Sequence, residues 1–134
     1  MLSLPFTRRR LLSDPKKLGR WGEKRCEKYL KAKGYCTLAR NYHCTLGEID
    51  LIMSAPEGAV VFVEVKTRRN EHFARAQDAV NHHKRLRMAR TAEHFRRVYR
   101  VKDRPLRFDV VAVVLGDGRG AEITHHENAF VPWG

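Results

Sequence analysis

Acidic residues stand in this chain where a buried β-hairpin ordinarily carries neutral ones. Residues 47–66 read GEIDLIM, then the turn residues SAPEG, then AVVFVEVK. Period-two alternation makes each half a strand. Ile49, Leu51 and Met53 share one face and Glu48, Asp50 and Ile52 the other; on the second strand Val61, Val63 and Val65 oppose Phe62, Glu64 and Lys66. A turn centred near Glu57 sets Asp50 directly across from Glu64, with Cβ atoms about 5 Å apart. A register two residues out keeps the faces but pairs Glu48 with Glu64. Like charges so placed destabilise a sheet, and a divalent cation between them compensates best. Lys66 adds a positive charge on the same face. Two carboxylates and a lysine around a hard metal suit phosphodiester hydrolysis: the metal stabilises charge on the phosphate and generates hydroxide, and the lysine orients that nucleophile or neutralises the phosphate.

The rest of the chain supplies a frame for this hairpin. At 134 residues it is the size of one domain, which divides into a basic arm over residues 1–13 and a single domain over 14–134. Asp14 as N-cap and Pro15 at the first helical position open a helix that runs to about Lys33 and stops at Gly34. Gly22, Cys26, Tyr29 and Leu30 form its buried stripe, while Lys24, Lys28 and Lys31 point outward. Glu23 falls on the inward side and needs a partner; the plain choice is a helix-surface pair with Arg20 or Lys28. Gly19 and Gly22, each unfavourable in a helix by about 1 kcal/mol, mark close approach of the helix to the sheet.

Residues 35–42 read as a strand before the hairpin, with Arg40 and Asn41 facing water rather than phosphate. Residues 71–80 are irregular and suit a substrate rim. Asn81 caps a second helix through about Val98, with Leu86, Ala89, Ala92, Phe95 and Val98 or Tyr99 inside. After Pro105 the run LRFDVVAVVL is apolar enough for a central strand, joined by a crossover and so paired in parallel. Asp109 within it reads as a structural partner of Arg107 rather than as a site carboxylate. Residues 116–120 form a turn and 121–124 begin an edge strand. His125 and His126 read as a surface doublet rather than a metal pair, and Trp133 packs on the body.

The balance of 27 Lys+Arg against 15 Asp+Glu, a formal charge of +12, points to a polyanionic partner. Nucleic acid is the first candidate and an anionic membrane surface the second. Residues 84–107 hold ten Lys/Arg and only Glu93 and Asp103 as acids, which makes a basic face. Arg87, Arg90 and Arg97 fall on the outer side of the second helix, as phosphate contacts in preference to a merely solvated face, with Lys84 at its start counted among the nucleic-acid contacts. Arg68 leaves the strand either toward a neighbouring phosphate or as a solvated strand cap. Cys26, Cys36 and Cys44 lack the spacing of a disulfide framework or a zinc site. The arginines near the start are followed by no apolar signal region, and no run approaches the ~20 apolar residues of a membrane helix. A cytoplasmic protein without a membrane partner is expected. No phosphate-cradling glycine loop is present in the sequence.

Asp50, followed fourteen residues later by Glu64-Val65-Lys66, resembles the PD-(D/E)XK nuclease superfamily. The ordered set GEKRCEKYL, GEIDLI, VFVEVKTR and RFDVVAV resembles the YraN-like family of small bacterial predicted endonucleases over about residues 16–115. Ile49 stands where the superfamily name has proline, a residue that ligates nothing. The resemblance implies an α/β, restriction-endonuclease-like core in the order αβββαβ, a mixed central sheet of four or five strands flanked by helices. It implies Asp50 and Glu64 as ligands of Mg²⁺ or Mn²⁺, with Glu48 auxiliary, Lys66 as the catalytic lysine, and Glu23 as the glutamate that the first helix often supplies. Lys84 stands at a position the family also fills with lysine. The activity expected is metal-dependent endonucleolytic cleavage of DNA or structured nucleic acid, branched DNA included. Similar junction-cleaving members act as dimers, which makes a homodimer an option. The rival readings are a non-catalytic nucleic-acid-binding module and an adaptor of a DNA-processing complex. Two carboxylates aimed at the chain's own anionic ligand argue against a pure binder.

Overall fold

Asp14 and Gly34 bracket the first helix, α1 (Pro15–Ala32). The Asp14 carboxylate accepts from the backbone N–H groups of Lys16 (3.0 Å) and Lys17 (3.4 Å), satisfying two donors the helix cannot. At the other end Gly34 takes φ +92°, a conformation open to glycine, and its N–H closes on the Lys31 carbonyl. The computed structural model describes residues 14–70, 82–116 and 120–131. The expected arm (1–13), the rim (71–80), the Asn81 cap and Trp133 lie outside the described residues.

Five strands follow and alternate with one further helix: β1 (Cys36–Cys44), β2 (Gly47–Ser54), β3 (Val60–Arg68), α2 (His82–Val98), β4 (Leu106–Val114) and β5 (Glu122–His126). They form one mixed sheet in the order β1-β2-β3-β4-β5. The β3–β4 pair is parallel and the other three are antiparallel. This is the α/β class and the αβββαβ order expected, with β5 added at the edge, and it is consistent with a restriction-endonuclease-like core. Central β3 opens on the continuous apolar run Val60–Val63, as a strand covered on both faces must.

The faces of the sheet carry separate cores. On one, Cys26 and Leu30 of α1 pack on Leu51, Met53, Val61, Val63, Val111 and Val113. On the other, Met88, Ala92 and Phe95 of α2 pack on Ile49, Ile52, Phe62, Phe108 and Val110. Full burial of each such side chain stabilises the fold by about 1.5–3 kcal/mol. Gly22 is where α1 touches the sheet: a Cβ there would overlap the Thr67 side chain, whereas one on Gly19 would meet nothing within 4 Å. The close approach expected of both glycines therefore belongs to Gly22.

Two expectations about the faces are corrected. Ile49 packs with Ile52 on the α2 side, not with Leu51 and Met53. The alternation of β2 breaks at Asp50, and opposite it on β1 the backbone turns at Asn41, whose φ is +47°. In α2 the buried residues are Met88, Ala89, Thr91, Ala92 and Phe95, while Val98 and Tyr99 are exposed. The buried stripe thus ends a turn earlier than expected.

Candidate active site

The hairpin register comes first, because it decides which carboxylates meet. Ser54 pairs with Val60, Met53 with Val61, Ile52 with Phe62 and Leu51 with Val63, so the turn is centred on Glu57. The ladder ends one position before Asp50 and Glu64, which are in line by that register and close enough for the Glu64 charge to act on Asp50. The two-residue slip that would pair Glu48 with Glu64 is not adopted. Beyond Leu51 and Val63 the strands part, and the Val65 N–H donates to Asp50 Oδ2 at 2.8 Å instead of to a β2 carbonyl. Meanwhile β3 stays paired with β4 as far as Arg68.

This parting opens a cleft of about 390 Å³ lined by Glu48, Asp50, Glu64, Lys84, Arg87 and Met88. Glu64 and Lys66, two residues apart on the α2-facing side of β3, are both buried, at 7% and 6% exposure. Burial first, and then the Glu64 charge, push the Asp50 carboxyl up to about 7; Glu23 adds to the rise, while the Val65 hydrogen bond and Lys84 oppose it. Glu23 is raised as well, by burial and then by Glu48 and Glu64. Beneath them the Cys26 thiol is pushed up to about 12 by burial and by the field of Asp50, which makes it inert. Four carboxylates of β2, β3 and α1 therefore share one region of negative potential.

The donor set fits a hard divalent ion. Oxygen ligands are what Mg²⁺ and Mn²⁺ take, and the raised Asp50 carboxyl reports a place short of positive charge. Among the described residues no three His, Cys, Asp or Glu side chains converge on one point. Asp50 and Glu64 are the two carboxylates that could hold such an ion, with water and phosphate oxygens filling the other positions, as is usual for Mg²⁺. Lys84, on the first turn of α2, reaches across and donates to Glu64 Oε1 at 2.5 Å.

The model of the family described as "Uncharacterised protein family UPF0102" matches residues 22–113. The chain belongs to UPF0102. It is 44% identical to a UPF0102 protein of Bifidobacterium longum over 119 residues, covering 87% of this chain and 94% of that one. It is 40% identical to one of Legionella pneumophila over 114 residues (84% and 92%) and 39% identical to one of Clostridium acetobutylicum over 116 residues (86% and 94%). The YraN-like resemblance is borne out at the level of family.

In this UPF0102 protein the sequence-derived residues divide by position. Asp50, Glu64, Glu48, Lys84 and Arg87 line the cleft, Lys66 is buried on β3 two residues past Glu64 and is not part of that lining, and Glu23 contributes to the potential from α1. Glu23 Oε1 accepts from Asn41 Nδ2 at 2.9 Å, and the Arg20 charge also acts on it, against the rise. Arg68 is half-buried at the end of β3 and donates to the Thr67 carbonyl. Arg90 and Arg97 are exposed on α2, about 5 and 15 Å along the axis from Arg87.

Asn41 is the residue whose part the sequence reading missed. It is exposed, as expected, and it also orients Glu23 from the point where β1 bends; asparagine's tolerance of positive φ is the signal that could have flagged it. Arg40 is likewise exposed, as expected, and from the surface it pairs with Glu27 at 2.7 Å. That bond is the first cause pulling Glu27 down to about 2, with Thr37 adding to it, and it pins β1 to α1. His125, expected at the surface, instead shares a 2.7 Å hydrogen bond with Asp109 through Nε2. Lys33 can only donate to Nδ1 (3.0 Å), which makes Nε2 the protonated nitrogen and the donor to Asp109. No helix among the described residues is long and apolar enough to cross a membrane.

Proposed function

We propose that this UPF0102 protein is a nuclease of PD-(D/E)XK type that hydrolyses phosphodiester bonds in nucleic acid, DNA foremost, with Mg²⁺ or Mn²⁺, in the reducing cytoplasm. The observation that carries the reading is the Asp50 carboxyl raised beside Glu64 at the point where β2 and β3 part. A structural role would give a buried carboxylate cationic partners and a depressed pKa; a ligand role leaves it to be completed by a cation. A divalent ion held there would neutralise charge on the scissile phosphate and acidify a water. The chain's own groups do the rest. Asp50 and Glu64 hold the ion, with Glu48 at the cleft wall as an auxiliary. Lys66, fixed by burial on β3, orients the attacking water or balances the phosphate. Glu23, steadied by Asn41, keeps the potential negative enough to retain a cation. Arg87, and then Arg90 and Arg97 along α2, follow the phosphate backbone, and Arg68 reaches a neighbouring phosphate. Such contacts position a strand without reading bases, which favours recognition of structure over sequence. Paired cuts across a branch would take two copies of this cleft, hence a homodimer.

The Lys84–Glu64 ion pair favours a second reading, in which the site's cation is the lysine and the protein binds nucleic acid without cutting it. Labelled single-stranded, duplex, flap and four-way-junction substrates, incubated with wild type and Asp50→Ala in Mg²⁺, Mn²⁺ or EDTA, separate the two. Cutting that needs metal and is lost in the variant upholds the nuclease. Binding by both proteins without cutting by either sinks it.

A further inference from the structure

Lys84 and Lys66 are the two lysines nearest Glu64 by fold and sequence, and they differ in how firmly they are held. Lys66 sits on the central strand at 6% exposure. Lys84 sits on the first turn of α2, and its side chain is 49% exposed while that of Glu64 is 9% exposed. The pair is therefore asymmetric: the lysine already contacts water along half its surface and can swing out at small desolvation cost, whereas the carboxylate is fixed in the interior. A structural ion pair in the same protein has another form. Arg107 grips the 0%-exposed Asp109 with two nitrogens and is itself 16% exposed. Lysine is a point charge on a flexible stem and suits exchange, whereas arginine's planar fork suits permanence. Arg87, three residues further along α2, lines the same cleft, so a displaced Lys84 ammonium joins it on one helix face.

We propose that Lys84 is a tethered counter-ion that holds Glu64 until a divalent cation takes the carboxylate over, and that it then joins Arg87 in facing the substrate phosphate. The inference rests on the metal reading of the site. While the lysine is in place the ion must displace it, so Lys84 sets divalent affinity as a competitor. The exchange also places a second cation at the cleft only after the carboxylates are neutralised, which orders metal loading before phosphate binding.

Mn²⁺ binding, read from the electron paramagnetic resonance signal of the free aquo ion at pH 8, tests this on wild type, Lys84→Met, Lys84→Arg and Asp50→Asn. Lys84→Met should bind Mn²⁺ about tenfold more tightly than wild type, since a like charge a few ångströms from the ion is removed. Lys84→Arg, which keeps the charge, should stay within about threefold of wild type, and Asp50→Asn should bind far more weakly. Thermal melts check that each variant is folded, and Lys84→Gln replaces the methionine variant if that one is not. Unchanged or weaker binding by Lys84→Met, with Asp50→Asn still impaired, overturns the counter-ion role and leaves the metal site standing. No saturable Mn²⁺ binding by wild type or Lys84→Met removes the metal reading and this inference together.

Discussion

Asp50 on β2 and Asp109 on β4 are carboxylates set into the same sheet, and their surroundings pull them in opposite directions. Asp109 accepts from Arg107 Nε and Nη2 (2.9 Å each), His125 Nε2 (2.7 Å) and Asn128 N (2.9 Å). Burial alone would raise it, but the His125 and Arg107 hydrogen bonds outweigh that and hold it below the usual carboxylate range. Asp50 accepts from the Val65 N–H and faces Glu64 and Glu23, and its carboxyl rises to about 7. The difference lies in what the neighbours donate. A carboxylate ringed by donors is finished and holds the fold together; one that faces other carboxylates is left short of positive charge.

Removing each group breaks the comparison most sharply. Asp109→Ala strands the Arg107 guanidinium and the His125 imidazole, and should cost about 3–5 kcal/mol in urea unfolding, a large part of the stability of a domain this size. Asp50→Asn should act with the opposite sign. It keeps an oxygen for the Val65 N–H and removes repulsion from Glu64, and should raise stability by about 2 kcal/mol at pH 8. A loss of stability in Asp50→Asn would mean that Asp50 is structural too.

The pH profile sharpens the same contrast. A carboxyl whose folded pKa is raised binds more protons folded than unfolded, so its contribution is fully present below the ordinary aspartate value, 3.8, and lost as pH climbs through about 7. Wild type should lose stability across that window, by up to a few kcal/mol, and Asp50→Asn should lose less. Asp109, depressed, contributes above the ordinary value and loses that contribution as pH falls below it. Asp109→Asn should therefore flatten the acid limb alone, as read by melts in a pH series. Smallest is the effect of the exposed arginines: Arg90→Ala and Arg97→Ala should each lower the slope of log affinity against log salt for a DNA duplex by about 1, with the melting temperature unchanged.

Much of this was legible because it depends on short-range geometry. The palindromic spacing of the hairpin about Glu57 fixed which carboxylates meet, and Arg107 and Asp109, two apart on one strand, were bound to share a face. The Asp14 cap and the Gly34 stop are likewise local. What escaped depends on contacts between distant segments. Asn41 meets Glu23 eighteen residues away, Lys84 crosses from α2 to Glu64 twenty residues back, and His125 turns inward because β5 pairs beside β4 and brings it to Asp109. The misplaced Ile49 has the same origin: strict alternation assumes an unbroken ladder, and Asn41 breaks it.

Single-turnover cleavage of the preferred substrate by Asp50→Asn beside wild type, at pH 8 with saturating Mg²⁺, tests the central claim most directly. The variant is expected to be the more stable protein, so lost activity cannot be ascribed to misfolding. The account predicts a fall of about a hundred- to a thousandfold, the scale on which electrostatic stabilisation of a transition state is lost. Cleavage by Asp50→Asn at the wild-type rate would contradict it.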